Sequence, residues 1–327
     1  AVQAYRELLD FEPNDGAARE ALERIYEGAG RWRDLEEALR GRLDVAVSTE
    51  ERAATRLRLA RLAEERFQSN RDAVEYLREV IDESPTHAEA GRELERLYTV
   101  ERRWAELGEL LERRADDSAA EGDAAGELAA LVRIGELNER ELKNLPRAVE
   151  LYERVLERDP EHAGALAALA RLAEADGQWE RAVEMLNRAL DRAPQGAASA
   201  DAALHVAAIL GQRLDDEAGM ERALHRALGF DETSRGALEQ IKALAQKRGD
   251  SLTLAAVMER EVPLLADAKL KVAQYRALAD IARDKLSDPG RAAAYMEQAS
   301  ALAPDDREIL GALVDLYNDS GRQRDAV

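Results

Sequence analysis

A long internal repeat constrains this chain more than any other feature of its sequence. Three tryptophans, Trp32, Trp104 and Trp179, are separated by 72 and 75 residues. Prolines and glycines keep the same period, at Pro13, Pro85, Pro160 and Pro304 and at Gly30, Gly177, Gly249 and Gly321. Glu232 takes the place of one proline, and Arg102 that of one glycine. Three residue types that share one period indicate an array of repeated units.

The composition indicates that these units are helical. Charged residues make up 35% of the 327 residues and aromatic residues only 4%, while Ala, Leu, Glu and Arg dominate. This composition favours helices with long solvated faces over a compact globule built around large aromatic rings. The sequence therefore predicts an all-α chain without strands.

Each repeat block divides into two helical hairpins, of which 161–194 is the clearest. Its first helix carries Leu166, Leu169, Ala170 and Ala173, and its second, after Gly177 and Trp179, carries Ala182, Leu186, Ala189 and Pro194. Small residues allow two antiparallel helices to approach closely, and large residues fill the space beside them. The glycine suits a left-handed turn, and the proline ends the second helix. This pattern closely resembles the tetratricopeptide repeat, as found in long bacterial-type arrays.

The resemblance covers the whole chain and implies a right-handed α-solenoid of about 18 helices. In such a solenoid the first helix of each hairpin (helix A) lines the inner, concave side, and the second (helix B) the outer side. The expected hairpins span 14–47, 50–85, 86–119, 123–160, 161–194, 198–232, 233–266 and 269–304, with partial helices at 1–12 and 305–327. No domain boundary is visible. Ala1-Val2 and Ala326-Val327 share one repeat phase, so we expect a single superhelix excerpted from a longer array.

Three local expectations follow from the pattern. The tryptophans Trp32, Trp104 and Trp179 should be mostly buried at the mouths of their hairpins. The segments 116–126 and 195–201, which are rich in Ala, Gly, Ser and Asp, should be loops between repeats. Pro263 should kink its helix or end it early.

The sequence carries no motif for catalysis or for a cofactor. It lacks a glycine-rich phosphate loop, a His-Glu-x-x-His pair and a nucleophile turn, and it contains no cysteine. Its four histidines, His87, His162, His205 and His225, lie in different repeats, where helix-start residues are the favoured interpretation of His87 and His162. We therefore expect no enzyme activity, no cofactor and no metal.

Charge and hydropathy restrict the class of partner. A net charge of −20 argues against nucleic acid, because binding to phosphates requires a basic surface. No apolar run is long enough to span a membrane. The absence of cysteine leaves the compartment open between cytoplasm and periplasm. We expect a protein or peptide partner, and the sequence leaves a homo-oligomer open.

Arginines recur at the positions where helix A of this family faces the groove. The predicted partner-binding residues are Arg24, Arg58, Arg61, Arg92, Arg96, Arg133 and Arg171. Beyond residue 200 the same positions hold His205, Ala208, Ala243, Asp280 and Asp315. Because the guanidinium fork matches carboxylates and phosphates, this row suits an acidic or C-terminal peptide. The alternative is that these arginines reflect composition, 41 Arg against 6 Lys, and pair with nearby glutamates.

Two functions from different classes stay open at this point. The first is a scaffold that binds a peptide or protein in its groove, and the second is a structural array that self-associates or bridges a larger assembly. A third, the regulatory arm of an enzyme, requires a catalytic domain outside this sequence. The lysine and asparagine positions with which some relatives bind chaperone C-termini hold other residues here, among them Glu20, Arg92 and Arg171.

Overall fold

The fold is all-α, as the sequence predicts. The computed structural model describes residues 1–12 and 15–319, and in these residues it contains eighteen α-helices, one short 3₁₀ helix and no strand. Pro13, Gly321 and the rest of 320–327, including Ala326-Val327, lie outside the described residues. The chain divides into two compact units, Ala1–Pro160 and Glu161–Val327, and each is a stack of helical hairpins.

The first unit contains a single helix followed by four hairpins. Its helices are α1 Val2–Phe11, α2 Gly16–Gly28, α3 Trp32–Leu43, α4 Thr49–Phe67, α5 Asn70–Glu83, α6 Ala88–Val100, α7 Trp104–Glu121, α8 Ala124–Arg140 and α9 Leu145–Arg158. The helices pair as α2–α3, α4–α5, α6–α7 and α8–α9, and successive hairpins of the unit pack through α3–α4, α5–α6 and α7–α8. The even-numbered members are the A helices.

The second unit contains four further hairpins and a last helix. Its helices are α10 Ala163–Ala175, α11 Trp179–Asp191, α12 Ala197–Gln212, α13 Glu217–Phe230, α14 Arg235–Arg248, α15 Ser251–Glu261, α16 Ala268–Asp284, α17 Pro289–Leu302 and α18 Arg307–Asp319. A 3₁₀ helix, Val262–Leu264, follows α15, so Pro263 lies where the α-helix has ended, as expected. The pairs α10–α11, α12–α13, α14–α15 and α16–α17 pack in the same way as in the first unit.

The core of each unit lies between the helices of a hairpin and continues into the next hairpin. In the second unit, Leu190, Val206, Leu224, Leu238 and Val257 belong to one buried cluster that extends from α11 to α15. Such a core requires only small and aliphatic residues at the repeat positions, which explains how a chain with 4% aromatic residues folds.

Four hairpins turn through one residue in the left-handed backbone region at the periodic glycine position: α2–α3, α6–α7, α10–α11 and α14–α15. Gly30, Gly177 and Gly249 adopt φ of 67°, 74° and 70°, and Arg102, at the same repeat position, adopts 55°. The N–H of the following residue then donates to a carbonyl near the end of helix A, for example Gln178 N to Ala173 O at 2.8 Å. These turns are α-helical C-caps of the kind that the periodic glycines predict.

The other four hairpins make a left-handed turn without glycine: α4–α5, α8–α9, α12–α13 and α16–α17. The left-handed residues are Gln68, Lys143, Asp215 and Ser287, with φ between 52° and 56°. The residue after each of them caps helix B: Ser69, Asn144, Asp216 and Asp288 accept the N–H three residues later. This side-chain cap satisfies a helix N-terminus and fixes the turn, although the left-handed residue has no special freedom.

Two segments expected to be loops are largely helical. Of 116–126, the residues through Glu121 extend α7, and the break is confined to Gly122 and Asp123. Of 195–201, all residues from Ala197 onward belong to α12, which Gly196 precedes with φ of 138°. The prediction of loops was wrong because alanine, serine and aspartate extend a helix when their neighbours pack, and only the glycine marks the break.

The tryptophans lie at the hairpin mouths and are mostly buried, as expected, although none of them is fully buried. Trp32, Trp104 and Trp179 are each the first residue of a helix B. In two cases an arginine of the next A helix stacks on the ring: Arg66 lies 4.4 Å from Trp32, and Arg213 lies 4.8 Å from Trp179. The sequence could not show this long-range cation–π contact.

Candidate functional site

Six of the seven predicted arginines lie on consecutive A helices of the first unit. Arg24 is on α2, Arg58 and Arg61 on α4, Arg92 and Arg96 on α6, and Arg133 on α8. Arg171 lies on α10, in the second unit, and is exposed. We call the surface formed by these six arginines of α2, α4, α6 and α8, together with the glutamates that contact them, the A-helix face of the first unit.

One arginine of this face holds a buried carboxylate. Glu23 of α2 is only 3% exposed, and Arg58 Nη1 of α4 lies 2.5 Å from its Oε2. Arg42 Nη1 of α3 lies 3.4 Å from the other oxygen. A buried carboxylate needs such partners, because removal from water is costly for an unpaired charge. Arg58 therefore contributes to the hairpin core as well as to the surface.

The next two arginines join α4 to α6 by two reciprocal ion pairs. Arg61 of α4 pairs with Glu89 of α6, and Arg96 of α6 pairs in return with Glu64 of α4, at 2.5 Å. Arg96 also contacts Glu93 of its own helix at 2.9 Å. The hydrogen bonds to Glu64 and Glu93 raise the pKa of Arg96 above its usual value. The two helices are thus joined by a reciprocal pair of ionic contacts.

The last contact of this face joins α6 to α8. Arg133 Nε lies 3.1 Å from Glu95 of α6, and its Nη1 lies 3.2 Å from Glu136 of α8. Burial lowers the pKa of Arg133, and the hydrogen bonds to Glu95 and Glu136 more than offset that effect, so that the pKa is raised. Each pair of adjacent A helices in the first unit is therefore linked by an arginine and a glutamate.

Two arginines of the face have no carboxylate partner in residues 1–12 and 15–319. The Nε–H of Arg24 donates to the carbonyl oxygen of Glu20 at 3.3 Å, and Arg92 of α6 is exposed. Both side chains keep a full positive charge toward solvent in a protein of net charge −20. The six arginines thus differ in whether a described carboxylate already contacts them.

Most of these ion pairs are weak because they are exposed. The side chains of Arg61 and Arg96 are 63% and 43% exposed, and those of Glu89 and Glu64 are 41% and 32% exposed. A pair of this kind contributes about 0.2–1 kcal/mol. The face can accordingly exchange one carboxylate for another at low cost, except at the buried Glu23.

A cavity of about 300 Å³ adjoins two of the predicted arginines. Arg58 and Arg61 line it, and Trp32, Leu39 and Leu62 supply its apolar wall. Arg66, stacked on Trp32, completes it. The sequence analysis missed this cavity, because it forms between α2, α3 and α4 and no single helix shows it.

Another cavity, of about 190 Å³, lies beside the extended end of α7. Its lining includes Ile81, His87, Leu111, Asp117 and Asp123, but none of the seven predicted arginines. It forms because α7 is 18 residues long, whereas α3 and α11, at the same repeat position, have 12 and 13.

The histidines at helix starts act as caps. His87 Nδ1 accepts the N–H of Ala90 at 3.2 Å, and His162 Nδ1 accepts that of Ala165 at 3.1 Å. The helix-start interpretation is therefore correct for both. Within the described part of the chain, no group of three or more His, Asp or Glu side chains is arranged to hold a metal ion. No described helix is long and apolar enough to span a membrane.

The A helices of the second unit are linked by contacts of more than one kind. His205 Nε2 of α12 lies 2.9 Å from Glu174 Oε1 of α10. Arg276 of α16 lies 3.0 Å from Glu308 of α18. Asp280 contacts Arg283 of its own helix at 3.4 Å. The link between α16 and α18 is thus an arginine–glutamate pair, as in the first unit, whereas α10 and α12 are joined through a histidine.

Solved structures with similar chains are helical repeat proteins. The C-terminal part of a repeat-containing protein from Cytophaga hutchinsonii is 13% identical, with 73% of this chain and 92% of that chain covered and a TM-score of 0.43. A tetratricopeptide repeat protein from Parabacteroides merdae is 18% identical over 81% of this chain and 98% of that one, with a TM-score of 0.37. Yeast Tom70 is 12% identical, with coverages of 93% and 60% and a TM-score of 0.34. No curated protein sequence matches the chain.

Residues 140–205 match the model of the tetratricopeptide repeat family. This segment contains α9, α10 and α11 in full. The other hairpins repeat the same helix–turn–helix pattern, with left-handed turns at the periodic positions. The matched segment therefore resembles the tetratricopeptide repeat family, and the other hairpins continue the same pattern along the chain.

Proposed function

We propose that this chain is a protein-interaction scaffold without an enzyme activity of its own, and that the A-helix face of its first unit binds an acidic segment of a partner protein. The observation that carries the proposal is the pair of arginines without carboxylate partners, Arg24 and Arg92, beside a row of weakly held arginines. The predicted Arg171, in the second unit, is a separate candidate contact. The fold supports the general role, since tetratricopeptide repeats typically mediate protein–protein interaction.

The charge of the whole protein decides how such binding works. At −20 the protein repels an acidic partner at long range, so attraction is confined to distances of about a Debye length, roughly 8–10 Å at ordinary salt. Guanidinium groups gain specificity at short range, because their forked donors match the two oxygens of a carboxylate. The interaction should therefore be of modest affinity and should weaken as salt rises.

A direct test measures binding of a fluorescein-labelled peptide of alternating glutamate and serine by fluorescence anisotropy. The double variant Arg24→Glu with Arg92→Glu should weaken binding about tenfold, because two attractive contacts become repulsive. Its thermal stability should stay close to that of the parent chain, since neither arginine has a carboxylate partner among the described residues.

The matched control is the double variant Arg33→Glu with Arg154→Glu. Both residues are exposed on B helices of the same unit, α3 and α9, and the change in net charge is the same. Binding should fall by less than about twofold. Equal losses in the two variants, or equal binding of the glutamine analogue of the peptide, would contradict the proposal. Should the protein instead self-associate in sedimentation experiments and ignore the peptide, the structural-array function would replace it.

A further inference from the structure

The glutamates of the A-helix face sit where a partner's carboxylates would bind. Glu89 forms an ion pair with Arg61, Glu64 with Arg96, and Glu95 with Arg133. We propose that these three glutamates are internal competitors, which set the affinity of the face for acidic segments. This inference rests on the proposed function and deepens it, since it states how the same site is regulated and which acidic segments it accepts.

Competition from these glutamates lowers the affinity of the face for a single partner carboxylate. A partner carboxylate that displaces Glu89 from Arg61 forms one ion pair and breaks another of the same kind, so the net gain is small. The displaced glutamate also stays near the incoming carboxylate and repels it. An isolated acidic residue therefore gains affinity only at Arg24 and Arg92. Binding elsewhere on the face requires a segment with several closely spaced carboxylates.

Burial separates the competitors from the structural carboxylate. Glu64, Glu89 and Glu95 have side chains that are 32%, 41% and 23% exposed, so water can solvate them after displacement. The Glu23 side chain is 4% exposed and is held between Arg42 and Arg58. Its displacement would leave a charge in the core, which is costly. Arg58 is consequently unavailable to a partner.

The competing glutamates differ in how fully their removal releases the arginine that they contact. Among the residues that the structure describes, Arg61 has one carboxylate partner, Glu89. Arg96 has two, because Glu93 of its own helix remains at 2.9 Å when Glu64 is removed. Loss of Glu89 should therefore release an arginine fully, whereas loss of Glu64 releases one only in part.

The test neutralises the competitors and measures binding of the labelled glutamate–serine peptide to the full chain. The double variant Glu64→Gln with Glu89→Gln should bind the peptide about fivefold more tightly than the parent, because two arginines are released and two repulsive charges removed. Of the single variants, Glu89→Gln should give the larger gain. The glutamine analogue of the peptide should show no gain.

The control is Glu79→Gln with Glu112→Gln. These glutamates pair with Arg56 at 2.7 Å and with Arg147 at 3.6 Å, on the B helices α5 and α7, and the net charge changes equally. Affinity should rise less than about twofold. Equal gains in both double variants would overturn the competition and leave the proposed function intact. Failure of every variant, parent included, to bind the peptide would overturn both.

Discussion

The two units use one hairpin scaffold but join their A helices by different contacts. Between α4 and α6 the contact is ionic, with Arg61 and Arg96 each holding a glutamate of the other helix. Between α12 and α14 it is apolar: a Cβ on Gly236 would lie 3.1 Å from Leu204 Cδ1. The core positions fix the fold in both units, so the residues on the A-helix surface are free to differ between the units.

A second difference lies inside the hairpins, at the closest approach of helix A to helix B. In the first unit, Gly135 of α8 faces Tyr152 of α9, which is 1% exposed. In the second unit, the equivalent positions hold Ala207 of α12 and Leu224 of α13, both fully buried. A smaller residue on one helix accompanies a larger one on the other, so the pair, and not either residue, determines the packing.

The largest expected effect breaks this pair. A Cβ at residue 135 would lie 2.7 Å from the Tyr152 ring, so Gly135→Ala should cost about 2 kcal/mol of unfolding free energy in spite of its better helix propensity. Tyr152→Leu should also cost about 2 kcal/mol, from lost volume. The double variant restores the pair of the second unit and should cost about as much as either single change. Urea unfolding measures all three.

The control for this cycle is Ala207→Gly, which removes a methyl group from the equivalent site and should cost about 1 kcal/mol without any clash. Strict additivity of Gly135→Ala and Tyr152→Leu would show that the two residues are not coupled. The comparison of the units would then hold no information on packing.

The next effect, no larger than the first, separates two arginines of the first unit by the burial of the carboxylates that they contact. Arg58→Ala leaves the buried Glu23 with Arg42 as its remaining arginine, 3.4 Å away, and should cost about 2 kcal/mol. Arg96→Ala removes exposed pairs only and should cost less than about 1 kcal/mol. Both values come from urea unfolding. A larger loss for Arg96→Ala than for Arg58→Ala would contradict the structural role of the pair formed by Arg58 and the buried Glu23.

The sequence predicts the fold well because the fold depends on short-range patterns. The left-handed turn at Gly177, the helix-start histidine His162 and the early end of α15 near Pro263 all follow from local backbone chemistry. The period then repeats these features along the chain. Helix bounds failed only where a break rests on one glycine, as at Gly122.

The candidate site was predicted only in part, because its contacts join distant segments. The A-helix positions of Arg58 and Arg96 follow from the repeat, but their partners lie 35 and 32 residues away on other helices. Nothing local distinguishes Arg92, which has no carboxylate partner among the described residues, from Arg96, which has two. Availability to a partner is a tertiary property, and only the structure shows it.

The smallest expected effect converts one contact of the second unit into the kind found in the first. His205→Arg would place a permanently charged guanidinium beside Glu174, whose carboxylate lies 2.9 Å from the imidazole. Both side chains are exposed, so the gain in unfolding free energy should be about 0.3–0.5 kcal/mol, visible as a small rise in melting temperature near neutral pH. The gain should vanish in about 1 M salt, where the Debye length falls to about 3 Å.

His205→Gln provides the uncharged control and should give no gain at any salt concentration. A gain from His205→Arg that survives high salt would have to come from packing of the longer side chain. The ionic links of the first unit would then stabilise by contact area as well as by charge, and the glutamates proposed as competitors would be harder to displace than their exposure suggests.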